Sequence, residues 1–148
     1  MGLGGMVAGA AADAAARNAL MQSMLKGRTP DQQKAIKYLF GAGGCFLSKK
    51  TTDEEYEGMV MEKAKGVDFK QKALDKIGLD ESQVNEVAPI HFEGYLFDDK
   101  TFDFRGKDSL WRSSHYQTSW IFFSSTQVYV YQYTFSMIDD TKKLKYTV

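Results

Sequence analysis

The chain has 148 residues, 43% apolar and 14% aromatic, with 19 Lys plus Arg against 19 Asp plus Glu. That length fits one domain, or a modest domain with a helical extension. The balanced charge removes the global positive field that announces a nucleic-acid binder, and the lone cysteine, Cys45, excludes an intramolecular disulfide and a cysteine-rich metal site.

From the start, no Lys or Arg precedes Arg17, so the basic opening of a secretory signal is missing. Met6 stands where a myristoylation signal needs Ser or Thr. The apolar runs Gly2–Ala12 and Tyr38–Leu47 both fall short of the roughly 20 residues that a membrane-spanning helix needs. A cytoplasmic protein is the expectation, with peripheral contact of Tyr38–Leu47 with a membrane surface left open.

Residues 1–88 read as helices. The alanine-rich run predicts a helix over Ala10–Lys26 that stops at Gly27, with the glycines before it frayed. Its small side chains bury little, so about the first 25 residues are expected to be the least ordered part. Thr29 caps a second helix, with Pro30 in its first turn and Gln32 at capping-box spacing. Gly41 stops it, and a glycine-rich break carries Cys45. Thr52 caps a third helix with Tyr56, Met59, Val60 and Lys63 on one face. Asp68 caps a fourth that ends at Gly78, and Asp80 a fifth before Pro89.

From residue 89 to 148 the period changes to two. "PIHFEGYLFDD" puts Ile90, Phe92, Gly94 and Leu96 on one side of a strand and His91, Glu93, Tyr95 and Phe97 on the other. "SLWRSSHYQTSWIFFSS" holds one or two strands, with any division expected near Gln117–Ser119. Ser124–Thr126 is a turn before the strand "TQVYVYQYTFSMIDD", and "LKYTV" reads as a last strand with an open edge. In that aromatic strand Tyr129, Tyr131, Tyr133, Phe135 and Met137 share one face, expected to pack against Trp120, Ile121 or Phe122 of the neighbouring strand. The other face, apolar at Val128 and Val130 and polar from Gln132, predicts a central strand covered on both sides at its apolar end. No Lys or Arg interrupts Thr126–Met137, which argues against a nucleic-acid platform.

Chemistry-bearing residues are sparse. Cys45 with His91 or His115 could in principle form a thiol–imidazole dyad, but no motif surrounds them. Two histidines without ligand spacing predict no metal site, and no cofactor is expected. Acids at the helix starts are accounted for by capping. "GLGG", "GAGG" and "GKDS" lack the setting of a phosphate loop. The most site-like piece is "FRGKDSLWRSSHYQ", where Arg105, Lys107, Trp111, Arg112, His115 and Tyr116 mix cations, rings and hydroxyls suited to an anionic headgroup or small anionic ligand.

The run of short strands "IHFEGYLF", "SLWRSSHYQTSWIFFSS" and "TQVYVYQYTFSMIDD" from Ile90 onward resembles the small PH-like domains of uncharacterised bacterial proteins. The resemblance implies a rolled antiparallel sheet used for binding and assembly. The strands number five or six where such a roll has about seven, and the given sequence reaches Val148 without the closing helix, so an incomplete PH-like barrel or a piece of a longer chain is the expected form. The combined expectation is an α+β protein, helical over 1–88 and antiparallel β over 89–148. It would act as a non-catalytic interaction or assembly module that binds a protein partner or itself, through the last strand or the alanine-rich helix. The alternatives are a binder of a small anionic ligand or lipid headgroup, and a Cys45-dependent hydrolase.

Overall fold

The computed structural model describes residues 3–41 and 50–140, with side chains from residue 12 onward. Four helices come first: α1 (Leu3–Leu25), α2 (Pro30–Leu39), α3 (Asp53–Lys65) and α4 (Phe69–Ile77). The capping signals act as the sequence predicts. Thr29 accepts from Gln32 N–H while the Gln32 side chain reaches back to Thr29 N–H. Thr52 and Glu55 form the same reciprocal box, and Asp68 accepts from Gln71 N–H at 2.9 Å. Gly27, Gly41 and Gly78 adopt the left-handed φ that ends a helix at little steric cost. Two expectations need correction. Helix α1 begins at Leu3, not Ala10, because the alanine run propagates a helix already nucleated. The segment after Asp80 forms only a 3-10 turn, Glu81–Val84, since Val84 is its one buried anchor.

The remaining chain is antiparallel β, so the α+β expectation holds. Strands β1 (Ile90–Leu96), β4 (His115–Phe123) and β5 (Val128–Ser136) form one sheet in the order β1-β4-β5, while β2 (Asp103–Arg105) and β3 (Trp111–Ser113) form a short ribbon. The described strands do not close into a barrel. The division within "SLWRSSHYQTSW" falls at Ser114, not at Gln117–Ser119. Ser114 bonds to Phe102 through both its N–H and its hydroxyl, and its carbonyl accepts from Met137 N–H, which is where the chain leaves the ribbon for the sheet.

The aromatic face of β5 is the wall of the core: Tyr131, Tyr133, Phe135 and Met137 are buried. Register places Tyr129 beside Phe122 and Tyr131 beside Trp120, whereas Ile121 faces the other way beside Val130. The opposite face reverses the expected cover. Its polar end, Thr134 and Ser136, is buried, while Val128 is 57% exposed. Among the described residues β5 has a sheet neighbour only in β4, so it is an edge of the sheet and not the central strand expected.

Helices α2, α3 and α4 lie against the aromatic face, and the rings meet in a continuous run. Phe104 of the ribbon meets Tyr38 edge-on, Tyr38 stacks on Tyr56 with centroids 4.4 Å apart, and Tyr56 lies parallel to Tyr95. Tyr95 meets Tyr116 edge-on, and the run continues through Phe135 to Phe69 of α4. One hydrophobic core therefore draws on residues from both sides of residue 88.

Candidate functional site

The ribbon turn holds the densest charge constellation. Gly106 and Leu110 close the turn through Gly106 N–H to the Leu110 carbonyl at 2.9 Å, which forces Ser109 into the left-handed region at φ 69°. Asp108 accepts from Leu110 N–H, and its carboxylate takes both terminal nitrogens of Arg112 at 2.9 and 2.7 Å. The third guanidinium donor, Nε, goes to Glu57 Oε2 of α3 at 2.7 Å. That oxygen also accepts from the Tyr95 hydroxyl at 2.9 Å. Asp53, one turn before Glu57, accepts from Asp108 N–H and from the Tyr38 hydroxyl. Gly106 sits so close to this knot that a Cβ there would lie 2.6 Å from Asp53 Oδ1 and 2.8 Å from Arg112 Nη1. The knot bolts the ribbon to the start of α3.

Arg112 is 5% exposed, and a guanidinium out of water needs the two carboxylates it has. Its hydrogen bonds to Asp108, then Glu57, drive its proton affinity further up. The same bond holds the Asp108 carboxyl down at about 2. Burial pushes the phenols of Tyr38, Tyr56 and Tyr95 upward, with the bond to Asp53 adding for Tyr38 and that to Glu57 for Tyr95. Burial also pushes Tyr116 up to about 12. These hydroxyls are donors and supports, not anions.

Acid stability follows from Asp108. Its folded value of about 2 lies below its ordinary 3.8, so it stabilises the fold above about pH 4 and that contribution is lost as pH falls through the folded value. Asp108→Asn should flatten the acid limb of the denaturation midpoint between about pH 4 and 2. An acid limb as steep as that of the parent chain would show that the Asp108 pairing is not formed in solution.

The six predicted site residues do not converge on one opening. Arg112 is buried in its pairing with Asp108 and Glu57. Arg105 and Trp111 are register partners at the exposed end of the ribbon. Lys107 borders a cleft of about 380 Å³ whose lining also holds Lys50 and three acids, Asp53, Glu54 and Asp108. His115 lines a small opening with Leu96, Lys100 and Gln132, and its Nδ1 lies 2.8 Å from Ser114 Oγ. Tyr116 is buried under the helices. The residues that complete the knot, Asp53, Glu57 and Asp108, escaped notice as helix-start or loop charges. A signal existed: Asp53 and Glu57 are four apart and flank the buried Tyr56–Val60 stripe of α3.

His91 lies on the inner face, 2.9 Å from Thr118 Oγ1 and stacked 4.3 Å from Trp120, whereas His115 belongs to the outer face by register. Cys45 and the "LKYTV" strand lie outside the described residues, so the dyad and the terminal edge do too. Among the described residues no cluster of His, Cys, Asp or Glu could hold a metal ion, and no helix is long and apolar enough to cross a membrane. On the outer face, Ile90, Ile121 and Val130 align across the three strands, with Phe92 on β1 and the Phe123–Val128 pair beside them. Of these, Ile90 is 49% and Phe92 53% exposed. No family model, no curated protein and no solved structure matches the chain.

Proposed function

We propose that this protein is a non-catalytic interaction or assembly module of the bacterial cytoplasm, engaging protein through the outer face of its sheet. One observation carries this reading: Ile90, Phe92 and Val128 stand about half exposed on one face beside Ile121, Phe123 and Val130. A contiguous apolar patch on a folded surface marks an interaction site far more often than scattered apolar residues do. The charged groups support the same view, because Arg112, the one buried charge among the described residues, is turned on Glu57 and Asp108. The likeness of the strand rhythm to small PH-like domains, which serve binding and assembly, points the same way. The anionic-ligand or lipid-headgroup alternative has less support, since Arg112 is already matched by two carboxylates and acids outnumber lysines around Lys107. A Cys45-dependent hydrolase has the least, since both described histidines already bond to Thr118 or Ser114.

A photo-crosslinking residue placed at Val128 tests the reading in cells. It should give one or a few discrete protein adducts, while the same residue at Lys34, on the exposed side of α2, gives none. Equal labelling at both positions, or none at Val128, would remove the assembly role.

A further inference from the structure

The outer face of the sheet is laid out in rows that cross β1, β4 and β5. Phe92, Ser119 and Gln132 form one row, Gly94, Gln117 and Thr134 the next, and Leu96, His115 and Ser136 the last. At this polar end lies an opening of about 180 Å³. His115 and Gln117 of β4 and Gln132 and Thr134 of β5 line it from the sheet, while Asp98, Lys100 and Thr101 of the loop after β1 line it from beside the sheet. Gly94 brings no side chain to the middle row, and a Cβ there would meet no atom within 4 Å. The loop is already set: Asp98 Oδ1 accepts from Lys100 N–H at 2.8 Å, and Thr101 Oγ1 accepts from Asp98 N–H at 3.1 Å. On the sheet, Gln117 Nε2 donates to Thr134 Oγ1 at 3.0 Å, which sets the Gln117 amide oxygen as an acceptor beside the Thr134 hydroxyl as a donor. One row away, Ser119 is 1% exposed and its Oγ has no hydrogen-bond partner among the described residues. An unmatched buried hydroxyl is uncommon in a folded chain and calls for a reason. Its register partner Gln132 also lines the opening, so the unmatched group adjoins the site.

We infer that this opening binds a small neutral polyol, about the size of one sugar ring. Leu96 is its one apolar side chain among the described residues, so a ligand gains little there from apolar burial and must be recognised through hydrogen bonds. Asp98 and Lys100 contribute one charge of each sign, a balance that favours neither an anion nor a cation. Amides and hydroxyls both donate and accept, and a ligand matched to them must do both. A carboxylate only accepts and an ammonium only donates. A polyol does both at several points around its rim, which suits polar groups standing on the sheet and on the loop. The volume is below the roughly 300 Å³ at which drug-sized pockets begin, which limits the occupant to a single ring. Fixed walls spare the ligand the cost of ordering them. The site lies at the other end of the outer face from Ile90, Ile121 and Val130, and it does not depend on the assembly reading.

The test is a titration of the isotope-labelled full chain with glucose, galactose and N-acetylglucosamine, followed by NMR through the side-chain amides of Gln117 and Gln132. At least one of these neutral sugars should shift both signals saturably with a millimolar Kd. Glucuronate and glucosamine, which add a charge of either sign, should bind at least about tenfold more weakly than that sugar. Gly94→Val places a branched side chain beside Gln117 in empty space, so it should keep the urea midpoint and weaken binding by at least about tenfold. Gln132→Ala, which removes one lining amide, should weaken it several-fold. No saturable shift with any of the three sugars up to about 100 mM would overturn the inference. So would a Kd unchanged in both variants, or a charged sugar bound as tightly as the neutral ones.

Discussion

Replacing Tyr56 by alanine is expected to cost about 4 kcal/mol of folding stability, read as a drop in the urea midpoint. Tyr56 is fully buried, lies between Tyr38 and Tyr95 in the run of rings, and donates its hydroxyl to the Ser113 carbonyl at 2.6 Å. The alanine variant loses the transfer energy of a large ring and leaves a cavity between α2, α3 and the sheet that packed neighbours cannot collapse to fill. Domains of this size are stable by about 5–15 kcal/mol, so the variant sits near the threshold of folding. Tyr56→Phe separates the two contributions. It keeps the ring and strands one buried carbonyl, which costs about 1–2 kcal/mol. Equal losses for the two variants would mean that the hydroxyl, not the packing, carries the position.

Arg112→Leu comes next in size, at about 2 kcal/mol, the loss of its charge-assisted hydrogen bonds to two carboxylates that stay more than a third exposed. The leucine fills part of the space, but Glu57 and Asp108 lose the cation that sits between them. Arg112→Lys is expected to recover little, because a single ammonium cannot bond to Asp108 with two parallel donors while also reaching Glu57. The decisive measurement is the combined variant Arg112→Leu, Glu57→Gln, Asp108→Asn. Its stability should exceed that of Arg112→Leu alone, since the two carboxylates that repel one another without the guanidinium are then neutral. If the added substitutions only lower stability further, Arg112 acts through its methylene stem and not its charge. A ligand-binding arginine behaves differently, losing affinity with little change in folding.

What could be read in advance divides along the range of the interaction. Helix starts and stops were legible because each is decided within three or four residues, as at Thr29–Gln32, Thr52–Glu55 and Asp68–Gln71. The aromatic face of β5 was legible from alternation alone. The alternation of β1 was legible too, but not which side would be buried. There the polar His91 and Glu93 face inward by register while Ile90 and Phe92 point out, the reverse of the usual pattern. Arg112 looked like a free loop cation because one partner, Glu57, lies 55 residues away, and the other, Asp108, four residues before it, is brought round only by the turn that Gly106 N–H closes onto the Leu110 carbonyl. Val128 and Val130 misled for a related reason: β-branched residues favour strands whether or not anything covers them.

The tie between the helices and the sheet has a consequence for biosynthesis. Lys63 reaches the Ser136 carbonyl across 73 residues and Tyr56 reaches Ser113 across 57, so neither bond can form until the ribosome has released the partner segment. Helices α2 to α4, with their own caps, can form as they emerge, but they must hold Tyr38, Tyr56 and Phe69 uncovered until β4 and β5 arrive. For that interval the nascent chain exposes aromatic surface of the kind that favours aggregation.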